Sequence, residues 1–127
     1  MADFVLDASA LLAIAFNEPG ADIAISRMAA CSVSAVNYSE ASAKMIDKGF
    51  NPAEATGWLD ALALDIVAFD RAAAARAAAL RPIAGARRLS FADRACIALA
   101  ADIEATAVTT DRAWADIGLP CTVELIR

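Results

Sequence analysis

Four acidic side chains occupy positions from which they could act together on a substrate. Carboxylate oxygens are the ligands that hard cations such as Mg²⁺ and Mn²⁺ prefer in proteins. Ions of this kind lower the pKa of bound water, and a pair of them can hold a phosphodiester in line for attack. Carboxylates gathered at one place would therefore indicate metal-dependent hydrolysis. The four candidates are Asp7, Glu40, Asp93 and Asp111.

The absence of histidine narrows the possible chemistry. The sequence has 127 residues and no histidine. This composition excludes Ser–His–Asp and Cys–His catalysis, ribonuclease chemistry with histidine as acid and base, and metal sites with histidine ligands. Any hydrolysis must therefore use carboxylates, which favours a hard metal ion held by them.

The elements that would position these acids alternate between strands and helices. Alanine-rich stretches with helical spacing separate the strand-like segments, and Asn51-Pro52 predicts a helix start. The alternation predicts an α/β fold, a three-layer α/β/α sandwich with a mainly parallel sheet of about five strands. Runs of β-branched or aromatic residues predict strands at 4–6, 32–34, 66–69 and 107–109, with a weaker one at 122–126. One apolar helix face is predicted from Ala92, Ala95, Cys96, Leu99 and Ala100.

Such a fold would place the four acids at one edge of the sheet. Carboxyl ends of parallel strands share an edge with the N-termini of the helices that follow. Asp7 directly follows the first strand, and Asp111 follows the fourth by one residue. Asp93 falls in the first turn of a helix, and Glu40 falls in the first two turns of another. If the first and fourth strands are neighbours, Asp7 and Asp111 flank the crevice where such sheets bind ligands.

Each acid also has a purely structural explanation. Asp7 and Asp111 could cap the turns that follow them. Asp93 could complete a capping box, and Glu40 could pair with Lys44 four residues on. Helix-capping acids do not have to lie close to one another, however. Two unit charges about 6 Å apart repel by roughly 3 kcal/mol at an effective dielectric constant of 20. Four acids at one edge therefore favour a bound cation.

Four segments together carry a family resemblance. They resemble, in order and spacing, the four motifs of PIN domains, and they span nearly the whole chain. The length of the chain and the residues of these segments are most similar to those of VapC-type toxins. The segments are residues 5–11 (VLDASAL), 37–40 (NYSE), 89–95 (LSFADRA) and 109–114 (TTDRAW).

The resemblance implies a single PIN domain over residues 1–127 with Mg²⁺- or Mn²⁺-dependent endoribonuclease activity. It implies a toxin inhibited by a small VapB-like antitoxin, and a homodimer, because PIN toxins commonly dimerise. The metal-binding acids would be Asp7, Glu40, Asp93 and Asp111, with Asp7 and Asp93 as the central pair. Hydroxyl groups for the metal-bound water network would come from Ser9 and Thr109. Asp116 is the candidate for a further acid, or is a solvated helix residue.

Charge and hydropathy bear on partners and location. The net charge is −5, yet seven of the eleven basic residues are arginines between Arg71 and Arg112. Arginine pairs well with phosphate oxygens, and the candidates for RNA contacts are Arg88, Arg94 and Arg112. Three dispersed cysteines and the lack of a signal peptide or membrane span predict a cytoplasmic protein with reduced thiols. An excess of apolar residues predicts an antitoxin-binding surface near the N-terminus, formed by Leu11, Leu12, Ile14 and Phe16.

Other classes fit less well. Haloacid-dehalogenase-type phosphatases carry a second aspartate two residues after the first, where this chain has Ser9. A receiver domain needs a lysine at a late strand end, and the only lysines are Lys44 and Lys48. A non-catalytic PIN-like scaffold stays open as an alternative, although the complete set of acids argues against it.

Overall fold

A computed structural model describes residues 2–83 and 85–127 of the chain. In these residues five strands form one parallel sheet in the order β3-β2-β1-β4-β5. The strands are β1 (Phe4–Leu6), β2 (Cys31–Ser34), β3 (Asp65–Val67), β4 (Thr106–Thr109) and β5 (Val123–Leu125). The α-helices are α1 (Ala8–Ala15), α2 (Ala21–Arg27), α3 (Ala35–Asp47), α4 (Pro52–Ala61), α5 (Arg71–Ala78) and α6 (Phe91–Asp102). Short 3-10 helices cover Met28–Ala30, Ala86–Arg88 and Arg112–Asp116.

The helices cover both faces of the sheet, because successive strand side chains point to opposite sides. Val5 packs into the core beneath α5 and α6, together with Trp114. Leu6, its neighbour in β1, packs into the core beneath α1 to α4. The predicted three-layer α/β/α sandwich with a parallel five-stranded sheet is therefore confirmed.

Local sequence signals place most element boundaries correctly. Asn51 caps α4 through a capping box with Glu54, and Pro52 is the first helical residue, as predicted. The whole predicted apolar face of α6 is buried. The three cysteines are free thiols. No helix in residues 2–83 and 85–127 is long and apolar enough to cross a membrane.

Two local predictions were wrong. The third strand begins at Asp65 and ends at Val67, two residues before the predicted end. It starts early because Asp65 pairs with Ser32 across the sheet and its carboxylate accepts a hydrogen bond of 2.7 Å from that hydroxyl. It ends early because the chain turns to let Asp70 cap α5. Leu11, predicted to belong to an exposed apolar surface, is fully buried in the core.

The strand order defines the edge at which a ligand would bind. β1 lies between β2 and β4, so the chain proceeds from β1 in one direction to β2 and β3, and from β4 in the other to β5. The carboxyl ends of β1 and β4 therefore form the topological switch point of the sheet. This confirms that Asp7 and Asp111 follow neighbouring strands.

Candidate functional site

Asp7 is the buried centre of the switch-point edge. It directly follows β1, caps α1, and is 4% exposed. Its Oδ1 atom accepts hydrogen bonds from the Ser9 hydroxyl at 2.6 Å and the Ala10 N–H at 2.9 Å. Its Oδ2 atom accepts one from the Thr109 hydroxyl at 2.6 Å. Three donors thus offset part of the cost of burying this carboxylate.

The two hydroxyl groups are themselves oriented by the backbone after β4. The Ser9 Oγ atom accepts a hydrogen bond from the Thr110 N–H at 3.0 Å. The Thr109 Oγ1 atom accepts one from the Asp111 N–H at 3.1 Å. Because each oxygen already receives a backbone hydrogen, its own hydrogen is free to point at Asp7. The structure therefore brings Ser9 and Thr109 to the Asp7 carboxylate, while their predicted contact with metal-bound water stays a prediction.

Burial and neighbouring charge perturb the central acids. Burial raises the pKa of Asp7 to about 6, against the lowering effect of the Ser9, Thr109 and Ala10 hydrogen bonds. The negative charge of Asp93 raises this pKa further. Burial also raises the pKa of Asp93, and the hydrogen bonds from Ser90 lower it. Asp93 is therefore close enough to Asp7 to disfavour the ionised form of Asp7.

Asp93 is the acid whose pKa is raised by the charges of two other predicted acids. The Asp93 N–H donates to the Ser90 hydroxyl at 3.1 Å, and the Asp93 carboxylate accepts from the Ser90 N–H at 3.0 Å. This capping box fixes the carboxylate in the first turn of α6. The charges of Asp111 and Glu40 both raise the pKa of Asp93. All four predicted acids thus belong to one electrostatic neighbourhood.

The outer two acids are engaged locally. Glu40, on α3, lies 3.3 Å from the Lys44 ammonium group. Asp111 caps the following 3-10 helix, accepting a hydrogen bond from the Ala113 N–H at 2.9 Å. Among residues 2–83 and 85–127, no group of three or more acidic, cysteine or histidine side chains lies close enough to hold a metal ion. The donor atoms fit a hard cation chemically, but Glu40 and Asp111 would have to turn from these partners to complete its coordination.

The remaining predicted residues lie at varying positions. Asp116 is exposed at the last residue of its 3-10 helix. Arg112 is exposed directly after Asp111, and Arg88 is exposed before α6. Arg94 is partly buried on α6, with its guanidinium carbon 6.0 Å from the centre of the Phe91 ring. Arg94 directly follows Asp93 in the chain, and Arg112 directly follows Asp111. The four predicted acids are called the acidic set below: Asp7, Glu40, Asp93 and Asp111.

Asn37 is a residue at this edge whose role the sequence did not predict. It is 1% exposed, and its Nδ2 atom donates to the Ala92 carbonyl at 3.0 Å. The bond ties α3 to α6, the helices that carry Glu40 and Asp93. Its Oδ1 atom is buried without a partner among the described residues. The available signal was spacing, because Asn37 lies four residues before Ala41 on the buried face of α3.

These features define a class: an α/β/α domain with a carboxylate set at the switch point of a parallel sheet. The sequence model of one family, the PIN domain, matches residues 4–119. The chain therefore belongs to the PIN-domain family. PIN domains are generally nucleases. No curated protein matches the sequence at a significant level.

Solved structures share this fold over nearly their whole length. The chain is similar to DNA-bound VapBC from Salmonella typhimurium, with a TM-score of 0.77, 18% identity and full coverage of both chains. It is similar to a toxin–antitoxin complex from Klebsiella pneumoniae, with a TM-score of 0.73, 18% identity and 97% coverage of each chain. VapBC2 from Rickettsia felis, bound to a promoter DNA fragment, gives a TM-score of 0.72, 16% identity and coverage of 96% and 97%. At these identities the similarity concerns the fold.

Proposed function

We propose that this chain is a metal-dependent endoribonuclease and the VapC-type toxin of a toxin–antitoxin pair. The observation that carries the proposal is a PIN domain in which all four motif acids are present and electrostatically linked through Asp93 at the switch point. Cleavage of total RNA by the purified protein, with Mg²⁺ or Mn²⁺ and again with EDTA, tests it. The proposed location is the cytoplasm, and the proposed assembly is a homodimer with one PIN domain per chain.

The proposed roles follow from burial and position. Asp7 and Asp93 would be the central ligands of one or two Mg²⁺ or Mn²⁺ ions, with Glu40 and Asp111 at the periphery. A bound ion would supply a water of lowered pKa and positive charge for the phosphate. Ser9 and Thr109 keep the Asp7 carboxylate ionised and oriented by donating to both of its oxygens.

The substrate and the inhibitor require different surfaces. We assign RNA phosphate contacts to Arg88, Arg94 and Arg112, which would offset the net charge of −5 locally. We assign antitoxin binding to a groove of about 210 Å³ between α1 and α3, lined by Leu12 and Phe16 beside Lys44 and Lys48. A toxin–antitoxin complex of similar fold supports an antitoxin as the partner.

One observation favours a second candidate, a non-catalytic PIN-like scaffold. Each of the four acids satisfies a local cap or ion pair. If these are the only roles of the acids, divalent metal has no reason to bind. The response of the fold to metal therefore separates the two candidates.

We expect Mn²⁺ to stabilise the wild-type fold. A ligand at a hundred times its Kd adds about 2.7 kcal/mol to the free energy of unfolding, which corresponds to a rise in Tm of roughly 10 °C for a domain of this size. Asp93→Asn should raise the stability of the metal-free protein, because it removes one of the repelling charges, and should weaken the response to Mn²⁺. Thermal unfolding with Mn²⁺ titrated in gives both values. Asp22→Asn, at an exposed position of α2, is the control variant. A wild-type Tm indifferent to metal would favour the scaffold.

We also expect the metal requirement to depend on pH. Asp7 must be ionised to bind a cation, so protons compete with the metal as pH falls through its pKa of about 6. The Mn²⁺ concentration for half-maximal cleavage should therefore rise below about pH 6. Thr109→Val removes a hydrogen bond that lowers this pKa, and the rise should begin about one pH unit higher. Thr56→Val, which loses a hydroxyl on α4, should leave the profile unchanged; an unshifted profile in Thr109→Val would contradict the assigned role.

A further inference from the structure

An apolar groove lies beside the acidic set. The N-terminal half of α3 and the first turn of α6 form its walls, and Phe69 lies between them. Its volume is about 580 Å³, within the range of clefts that hold small ligands. Glu40 and Ser90 line it, and Ser90 is the residue that caps α6 together with Asp93. A ligand in the groove would therefore extend directly to the proposed metal site.

The dominant side chain of the groove is an exposed aromatic ring. Phe91 is 53% exposed, although it is the first residue of an otherwise well-buried helix. Phe69 contacts it in a T-shaped arrangement, with ring centres 5.4 Å apart and an interplanar angle of 88°. This contact fixes the orientation of Phe91 while leaving half of its surface to solvent. A fixed, exposed aromatic ring is a surface on which a planar ligand can stack.

A guanidinium group lies over this ring. The Arg94 guanidinium is 6.0 Å from the Phe91 ring centre. Its Nε atom is buried without a hydrogen-bond partner, and within residues 2–83 and 85–127 the side chain forms no ion pair. Because no acid among the described residues pairs with Arg94, its positive charge is left to attract an anion, although its buried Nε atom is out of reach. Guanidinium groups favour phosphate among anions because their donors match its oxygens.

We propose that this groove binds one unstacked base of single-stranded RNA, with the base against Phe91 and its phosphate on Arg94. The proposal rests on the proposed nuclease function and names the form of its substrate. The ring, with a guanidinium over it, supplies an aromatic surface and a positive charge for the two chemical parts of a nucleotide. Every base offers a π face to the exposed part of the ring. A base held here places the neighbouring phosphodiester beside Glu40 and Asp93. The base must be unstacked to reach the ring, so a duplex, whose bases are already stacked, should bind more weakly at this groove.

Binding measured without metal tests the groove separately from cleavage. The probe is a short, mixed-sequence, single-stranded oligoribonucleotide in EDTA, compared with the same chain lacking its bases and with its duplex. Phe91→Ala should weaken binding of the intact probe about fivefold or more, the equivalent of a stacking contact of about 1 kcal/mol. Phe91→Trp should keep the affinity, and Phe91→Leu should lose it, because leucine has no π face. The control is Ile25→Ala, since Ile25 is also 53% exposed but lies on α2.

Each result supports or overturns the proposal. Loss of affinity in Phe91→Ala for the intact probe, with no loss for the probe without bases, supports base stacking. Equal affinity of wild type and Phe91→Ala for the intact probe overturns it, even if wild type cleaves RNA with Mn²⁺ and the nuclease function stands. If Phe91→Ala binds RNA like wild type but no longer binds the product of the neighbouring gene, the proposal is overturned in favour of a protein ligand. Phe91-dependent binding without any metal-dependent cleavage supports the base site and removes the nuclease function.

Discussion

Asp93→Asn and Asp7→Asn are each expected to abolish RNA cleavage while leaving the fold intact. The expected loss is at least roughly a hundredfold, because removal of groups that only support metal ligands already costs 10- to 100-fold. Asparagine keeps the size of the side chain but removes the negative charge that a divalent cation needs. Asp7 contributes a buried carboxylate with a perturbed pKa, and Asp93 interacts with the other three acids.

The assay is cleavage of total RNA with Mg²⁺ or Mn²⁺, with and without EDTA. Circular dichroism and thermal unfolding of each variant establish that it is folded. Asp22→Asn removes a carboxylate from the exposed surface of α2 and should cleave like wild type. Full activity of Asp7→Asn or Asp93→Asn, or of wild type in EDTA, would remove these carboxylates from the mechanism.

The local patterns that predicted the fold correctly are apolar runs and helix-capping residues. The first strand, its neighbour after residue 105 and the capped start of α4 are set by apolar runs and by Asn51-Pro52. The third strand was misplaced because its beginning depends on a cross-sheet hydrogen bond between Ser32 and Asp65. Pairing of this kind joins residues far apart in sequence, so no local window contains it.

In the candidate site, too, local sequence predicts some features, and others depend on contacts between residues far apart in the chain. The positions of the four acids at one edge follow from strand order and helix direction. Side-chain orientation does not, and it decides that Glu40 faces Lys44 and that Asp7 receives both hydroxyls. The inter-helix bond of Asn37 to Ala92 is likewise a product of packing between α3 and α6. Sequence therefore identifies which groups share the edge, and three-dimensional structure identifies which of them are already bonded.

Local bonding and metal binding are compatible at this edge. The cap at Asp93 uses one carboxylate oxygen, which accepts from the Ser90 N–H. The second oxygen is then held near the sheet edge in a restricted set of orientations. We infer that this cap helps to position Asp93, so that a cation meets a carboxylate with little freedom left to lose.

The cognate antitoxin is expected to suppress cleavage completely when bound. The chain carries a net charge of −5, and the charges of Asp111 and Glu40 disfavour the ionised form of Asp93. A basic side chain from the antitoxin, reaching these acids, would supply the positive charge that a metal otherwise brings and would displace it. A small VapB-like protein with a basic C-terminal segment fits this description.

The rest of the antitoxin would bind the groove between α1 and α3. Leu12 and Phe16 line this groove and are only partly buried, so an apolar helix placed there would remove them from water. Leu12→Ala together with Phe16→Ala should weaken the complex by more than tenfold, since each truncation removes about 1 kcal/mol or more of apolar contact. The same double variant should keep its cleavage activity, because neither Leu12 nor Phe16 is one of the four acids or of the assigned RNA-binding arginines.

Co-purification with the product of the neighbouring gene, followed by an RNA cleavage assay of the complex, tests both surfaces. The matched control is Ile66→Ala, since Ile66 is exposed on the edge strand β3, away from α1. Formation of a complex that cleaves no RNA, and release of activity in the double variant, would support the toxin function. If no complex forms, or if the complex cleaves RNA as fast as the free protein, the toxin function fails. A metal-dependent PIN nuclease would survive that result, because it depends on Asp7 and Asp93 and not on the groove.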